Sequence, residues 1–493
     1  MMDNELEEEK QLLLSSSNDF RLFAFILGPL VALVLMYLPV PNGMTKEAWA
    51  LVALILWMAI WWLSEAIPIP ATALLPIPLM PILGIGEMTP VASQYGNPII
   101  FLFLGGFLMA VAMQRWGLHK RIALRIVSVV GTNPSSVIGG FMLATAFLSM
   151  WISNTSSTIM MYAVALSVID FVARRTTDEK VLHNFGVALM LGIAYSATIG
   201  GVGTLIGTPP NALLASFLTS SYNIQIDFFT WMQFGLPIVL FMLPIAWLLL
   251  TKLIFPAKSI RVGNIQQLIK AELDELGPIT QPEKVVAGVF ICAALGWIFR
   301  TPLVNLTGLP INDTSIALVA ALLLFAWPAS KNSGQFILDW SMTRELPWGI
   351  LFLFGGGLAL SFGFNNTGLA LWIGELVSGL DVSTWLLIIT VVIAVIYLTE
   401  ITSNTASTAT FLPILGAVAI GLELDPRTLA VPAAVAASMA FMMPIATPPN
   451  AIVFSYEKMR LFDMIKAGFL LNIIAVIVTC LMMYLLSGLV FGI

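Results

Sequence analysis

The chain has 493 residues, of which 59% are hydrophobic and only 10% charged. Soluble domains carry roughly 25% charged residues, so this composition excludes a soluble enzyme and predicts a polytopic membrane protein. The net charge of -5 comes without a basic stripe interleaved with aromatics, which removes nucleic acid as a partner.

Residues 1–20 are acidic and polar and lack the basic start and apolar core of a signal peptide, so they are expected to form a cytoplasmic tail. Candidate spans then fall near 22–40, 47–64, 67–86, 96–114, a pair in 135–172, 186–219, 232–254, 285–299, 313–330 and 346–365. A second pair in 383–422, followed by 428–455 and 467–492, completes the chain. The stretches 126–169, 185–226, 428–456 and 467–493 contain no Lys, Arg, Asp or Glu, and each exceeds the about 20 residues needed to cross a bilayer.

If each pair is a hairpin that leaves by the side it entered, and the N-terminus is inside, 19 of the 22 Lys and Arg fall inside. Only Lys46, Arg300 and Arg427 fall outside. That asymmetry is the positive-inside rule, and reading either pair as a single crossing would misplace Lys458, Arg460 and Lys466. The cluster Arg115, Lys120, Arg121 and Arg125 reads as a solvated loop or headgroup contact. This topology places the C-terminus outside and residues 256–284 in a cytoplasmic linker.

The chain repeats itself. Ile152-Ser153-Asn154-Thr155-Ser156-Ser157-Thr158 returns as Thr402-Ser403-Asn404-Thr405-Ala406-Ser407-Thr408. Gly207-Thr208-Pro209-Pro210-Asn211-Ala212 returns as Ala446-Thr447-Pro448-Pro449-Asn450-Ala451, and Phe103-Leu104-Gly105-Gly106 is echoed by Leu353-Phe354-Gly355-Gly356. The boundaries are 21–255 for the first copy (hairpin 135–172, broken helix 186–219) and 285–493 for the second (hairpin 383–422, broken helix 428–455). The first hairpin opens inside and the second outside, so the copies are inverted, as in secondary transporters.

A polar run inside an apolar segment must face protein or a water-filled cavity, which suits a re-entrant tip. Asn and Thr side chains can cap the half-helix that follows, while hydroxyl, amide and carbonyl oxygens suit a sodium ion. Thr-Pro-Pro-Asn should split a span, because Pro lacks an interior donor yet fits the first turn. Thr208 and Thr447 would then cap half-helices whose free N–H groups face an anion, with Gly200, Gly201, Gly203 and Gly207 allowing close backbone approach. No Arg or Lys lies in these motifs, so a multivalent anion would depend on co-bound cations. Two acids approach the apolar core: Glu65, which can be an interfacial cap, and Glu400, which can tune a cation site. Cys292 and Cys480 have neither CxxC spacing nor neighbouring ligands, which argues against a disulfide, zinc site or thiol catalysis.

With its duplicated SNT and TPPNA motifs, together with Trp61-Trp62-Leu63-Ser64-Glu65-Ala66-Ile67-Pro68 and Gln114-Arg115-Trp116-Gly117-Leu118, the sequence resembles the divalent anion/sodium symporter family over essentially its whole length. It is most similar to the bacterial succinate-type members. The resemblance implies an all-α protein with about eleven transmembrane helices plus two re-entrant hairpins, scaffold and elevator-type transport domains, and a homodimer in the bacterial cytoplasmic membrane. It implies a first sodium site at Ser149, Ser153, Asn154 and Gly207 and a second at Thr399, Thr402, Asn404 and Ala446. The dicarboxylate would meet Asn154, Thr155, Asn404 and Thr405 at the tips and Thr208, Pro209, Thr447 and Pro448 opposite. The expected function is sodium-coupled import of C4-dicarboxylates such as succinate, fumarate or malate, without chemistry on the substrate or an organic cofactor. A sodium-independent exchanger, a citrate- or sulfate-selective carrier and an anion channel are the alternatives.

Overall fold

The computed structural model describes residues 21–131, 133–174, 178–256, 265–330, 334–380 and 382–493. The predicted tail and part of the predicted linker lie outside the described residues. Among those described, nine helices are long and apolar enough to cross a bilayer, and six further apolar helices are shorter. The only β pairing described is an isolated bridge between Pro328 and Phe336.

The helices begin where polar caps meet apolar runs. Helix α1 is Arg21–Tyr37 and α2 is Lys46–Ser64, capped by the Thr45 side chain. Helix α2 stops at Glu65, whose left-handed backbone (φ 48°, ψ 39°) closes the last turn. The prolines that follow prevent one continuous helix over 67–86, leaving two short pieces, Ile69–Thr72 and Pro76–Ile82. Helix α3 (Pro98–Arg115) carries Pro at its first position and an Asn97 cap.

The first copy continues as α4 (Leu118–Val129), α5 (Pro134–Ser149), α6 (Asn154–Ala173), α7 (Glu179–Gly201), α8 (Pro209–Tyr222) and α9 (Phe228–Leu248). Helices α10 (Gln281–Ile298), α11 (Asp313–Ala326), α12 (Trp348–Thr367) and α13 (Leu369–Val377) follow. The second copy ends with α14 (Thr384–Thr399), α15 (Asn404–Gly421), α16 (Arg427–Ala437), α17 (Pro448–Phe454) and α18 (Leu461–Leu486).

Both predicted hairpins are helix pairs with a short link, α5/α6 and α14/α15. At 1.5 Å per residue, α5 and α14 reach about 24 Å, short of the roughly 30 Å hydrocarbon core, whereas α6 and α15 are among the nine helices long enough to cross. Each hairpin is preceded by a short helix packed against it, α4 on α5 and α13 on α15. These short helices start at Gly117 (φ 71°) and Gly368 (φ 77°), where a left-handed turn favours glycine. That correspondence adds a fourth pair of matching positions to the three repeated motifs.

Helix α7 lies at the centre of the molecule, 89% buried over its apolar window, and packs on both arms of the first hairpin. Helices α3, α10 and α11 pack together, and α10 is only 28% buried. The two copies are tied by charge at one end. Arg300 Nη2 lies 2.7 Å from Asp227 Oδ2, and Asp313 Oδ2 accepts the Phe228 N–H at 2.8 Å. At another junction the buried Arg121 donates to Glu283 at 2.7 Å and to the Gly277 carbonyl at 2.9 Å. Pairing of this kind is what makes a buried charge tolerable.

Candidate functional site

A cavity of about 810 Å³ is bordered by both hairpin tips and both broken-helix segments. Its polar rim is Ser153, Asn154 and Thr155 from the first tip, Thr402, Ser403, Asn404 and Thr405 from the second, and the Thr-Pro-Pro segments at 208–210 and 447–449. Trp62, Phe103, Phe107 and Ile206 supply apolar wall. Arg21 and Glu65, 3.8 Å apart, stand at its edge. Residues about 250 positions apart in the chain therefore share one chamber, with the N-termini of α6, α8, α15 and α17 on its border.

Local sequence sets each of these ends. The cap of α6 is Ser153, whose hydroxyl accepts the Ser156 N–H at 3.2 Å; Asn154 is the first helical residue and its side chain is free for other contacts. This corrects the expectation that the asparagine or threonine would cap. Ser403 takes the cap position of α15 without a side-chain bond. Thr208 and Thr447 are the N-caps of α8 and α17 as expected, but only Thr447 accepts a bond, from Asn450 N at 3.3 Å.

Ser149, Asn154 and Gly207 converge beside the first tip. Ser149 Oγ donates to the Ala197 carbonyl at 2.7 Å. One polar atom of the Asn154 amide lies 2.5 Å from Ser149 Oγ, 3.2 Å from the Gly207 carbonyl and 3.3 Å from the Ala197 carbonyl. All three neighbours can accept, so the amide nitrogen points there and shares its two N–H donors among them. The Ser149, Gly207 and Ala197 oxygens thus gather around the Asn154 side chain beside the first tip. Ser153 borders the cavity, but its hydroxyl is engaged with Ser156, including Ser156 Oγ at 2.8 Å.

The second tip repeats the geometry with different residues. Thr399 Oγ1 lies 2.6 Å from Asn404 Oδ1 and 3.2 Å from the Ala437 carbonyl. Thr402 borders the cavity, and its hydroxyl donates to the Leu398 carbonyl at 2.9 Å and lies 2.6 Å from Ser407 Oγ. Ala446 borders the cavity within the unwound segment.

Sequence reasoning did not assign the residues that shape these segments. Asn211 Nδ2 donates to Thr204 O at 2.8 Å and Asn450 Nδ2 to Met443 O at 3.0 Å, each stapling a broken helix across its gap. Both asparagines belong to the repeated Thr-Pro-Pro-Asn motif, so the signal was present. The Ala197 and Ala437 carbonyls gave no signal, because their role belongs to the backbone. Glu65 is the expected cap, ending α2, whereas Glu400 is buried at the end of α14.

Residues 20–492 match the family described as the sodium:sulfate symporter transmembrane region. The chain is 41% identical over 485 residues to the sodium-dependent dicarboxylate transporter SdcS of Staphylococcus saprophyticus, covering 97% of this chain and 93% of that protein. Against SdcS of Staphylococcus aureus the identity is 43% over 481 residues, with 96% and 92% covered. In fold it is similar to the YdaH transporter of Alcanivorax borkumensis (TM-score 0.60, 14% identity, 90% of this chain and 98% of that one). It is also similar to MtrF of Neisseria gonorrhoeae (TM-score 0.57, 14% identity, 96% of each).

Proposed function

The chain belongs to the sodium:sulfate symporter family, the divalent anion/sodium symporters, and from that premise we propose that it imports C4-dicarboxylates such as succinate, fumarate or malate together with sodium. The observation that carries this reading is the single cavity bordered by four helix N-termini from two repeated copies, with an oxygen cluster beside each tip. N–H groups and helix dipoles favour an anion, and the oxygen clusters favour a hard cation. The relatives' description as sodium-dependent dicarboxylate transporters supports the same pairing.

Asn154, Thr155, Asn404 and Thr405 would meet the dicarboxylate from the tips, and Thr208, Pro209, Thr447 and Pro448 from the broken helices. Sodium would be held by Ser149, Asn154 and the Gly207 and Ala197 carbonyls on one side, and by Thr399, Asn404 and the Ala437 and Ala446 carbonyls on the other. Ser153 and Thr402 would complete the two sites, through hydroxyl or backbone oxygen. Among the residues that border the cavity, Arg21 is the only cation, so sodium compensates the substrate charge.

Arg21 and Glu65 at the cavity edge lie on the side to which the charge pattern assigns the cytoplasm, which supports an inward-open resting state. Sodium then orders the tips before the hairpin-bearing part carries the substrate across as an elevator within a homodimer in the cytoplasmic membrane. Motion and dimer both rest on family membership. Each net charge that enters gains about 2.3 kcal/mol per 100 mV of membrane potential.

Radiolabelled succinate uptake into proteoliposomes tests the reading. Uptake driven by an inward sodium gradient, and lost when potassium or choline replaces sodium, is expected. Sodium-independent uptake stimulated by preloaded dicarboxylate would replace symport with exchange.

A further inference from the structure

Glu400 sits one residue beyond Thr399, at the end of α14, and is only 3% exposed. Its Oε1 accepts from Phe441 N at 2.7 Å, Met442 N at 3.0 Å and Asn472 Nδ2 at 2.7 Å; Oε2 accepts from Met442 N and Met443 N, both at 3.0 Å. The three backbone donors lie in the unwound segment 438–447, between α16 and α17. An unmade hydrogen bond in so apolar a setting costs more than the bond itself contributes, so these donors fix the segment to the carboxyl group. From the other side Asn450 holds the Met443 carbonyl.

The first copy has no carboxyl group at this position. Its matching residue is Met150, and its unwound segment 202–208 is shorter. That segment is held through carbonyls instead: Val202 O accepts from Trp231 Nε1 at 2.9 Å and Thr204 O from Asn211. Met150 takes part only through its backbone, its carbonyl accepting from Thr204 Oγ1.

We propose that Glu400 is the positioning residue of the second sodium site: it anchors the segment that presents Ala446, while its neighbour Thr399 holds Asn404 and the Ala437 carbonyl. Glu400 touches neither cargo; it acts through the backbone it orders. The proposal rests on the sodium-symport reading above.

Glu400→Gln keeps the shape but turns an N–H donor toward backbone N–H groups. The half-saturating sodium concentration for succinate uptake rises about tenfold or more, as for other residues that orient ligands of a metal site, while succinate KM at saturating sodium is retained. Sodium-induced thermal stabilisation measured without succinate shifts to higher sodium in parallel. Asn472→Leu is the gentler variant. Asn472 Oδ1 has no partner, so leucine removes one bond to Glu400 without leaving a new unpaired group, and a smaller shift in the same direction is expected. Met150→Leu leaves the sodium dependence unchanged.

Unaltered half-saturating sodium in both Glu400→Gln and Asn472→Leu would overturn the assignment, as would a stability loss of equal size in sodium and in choline with no change in sodium dependence. If Glu400→Gln does not fold, Asn472→Leu decides alone. Sodium-independent uptake by the unmodified protein would instead remove the symport reading and this proposal with it.

Discussion

The two broken helices share a motif but not an architecture. In the first, α7 has 23 residues and α8 has 14, and the gap 202–208 is so tight that a Cβ built on Gly207 would lie 2.3 Å from the Gly201 carbonyl oxygen. In the second, α16 has 11 residues and α17 has 7, the gap 438–447 is longer, and the position matching Gly207 is Ala446. One copy shapes its oxygen cluster by close backbone packing; the other uses a longer segment strapped to a buried carboxyl group. Matching segments of a repeated sequence can thus rest on different supports, and substitutions should expose the difference.

The sharpest test is at the paired glycine and alanine. Gly207→Ala drives a methyl group into backbone that cannot yield, so sodium-driven uptake should fall to background in proteoliposomes, whereas Ala446→Gly keeps half-saturating sodium within about twofold of the original. Equal tolerance at both positions would remove the distinction between packed and strapped segments. Asn154→Ala and Asn404→Ala should each raise half-saturating sodium by about tenfold, read by uptake and by sodium-dependent thermal shift. If the supports differ as described, combining Asn404→Ala with Glu400→Gln adds little to either alone, whereas Asn154→Ala with Glu400→Gln is additive.

Smaller effects are expected at the threonines that follow. Thr155→Ala and Thr405→Ala each remove one hydroxyl donor and should raise succinate KM about fivefold, the equivalent of one hydrogen bond, with sodium dependence retained. A change in sodium dependence instead would place these residues with the cation.

The smallest effect lies in the turn between α15 and α16, outside both gaps. Arg427 donates from Nη2 to Asp425 at 2.6 Å, and this contact, opposed by partial burial, holds the Asp425 carboxyl below the usual carboxylate range. The folded pKa is depressed, so the stabilisation is present above the unfolded value of about 4 and disappears as pH falls through the folded one. Asp425→Asn should lower thermal stability slightly at pH 7 and converge with the original protein in acid. An unchanged difference at acid pH would mean that the ion pair contributes nothing.

Much of this was legible in the chain because a bilayer tolerates few solutions. Helix positions followed from the charge-free stretches, and each expected pair is a helix pair with a short link. The gaps followed from Thr-Pro-Pro, since proline at N1 starts a helix and cannot continue one. What failed to show was local: where the backbone breaks and which side chain caps. The span expected over 67–86 is broken into two short helices, and Ser153 rather than Asn154 caps α6.

The amino-acid sequence by itself determined a polytopic helical protein with a duplicated, interrupted core, because hydropathy, charge bias and proline act locally and leave a one-dimensional record. Only the tertiary structure decided that residues far apart in the chain border one cavity. It also decided that the Ala197 and Ala437 carbonyls join the oxygen clusters, and that Glu400 anchors three consecutive backbone N–H groups. Carbonyls and amides are common to every residue, so their selection depends on where the chain bends, and that is set by packing between distant segments.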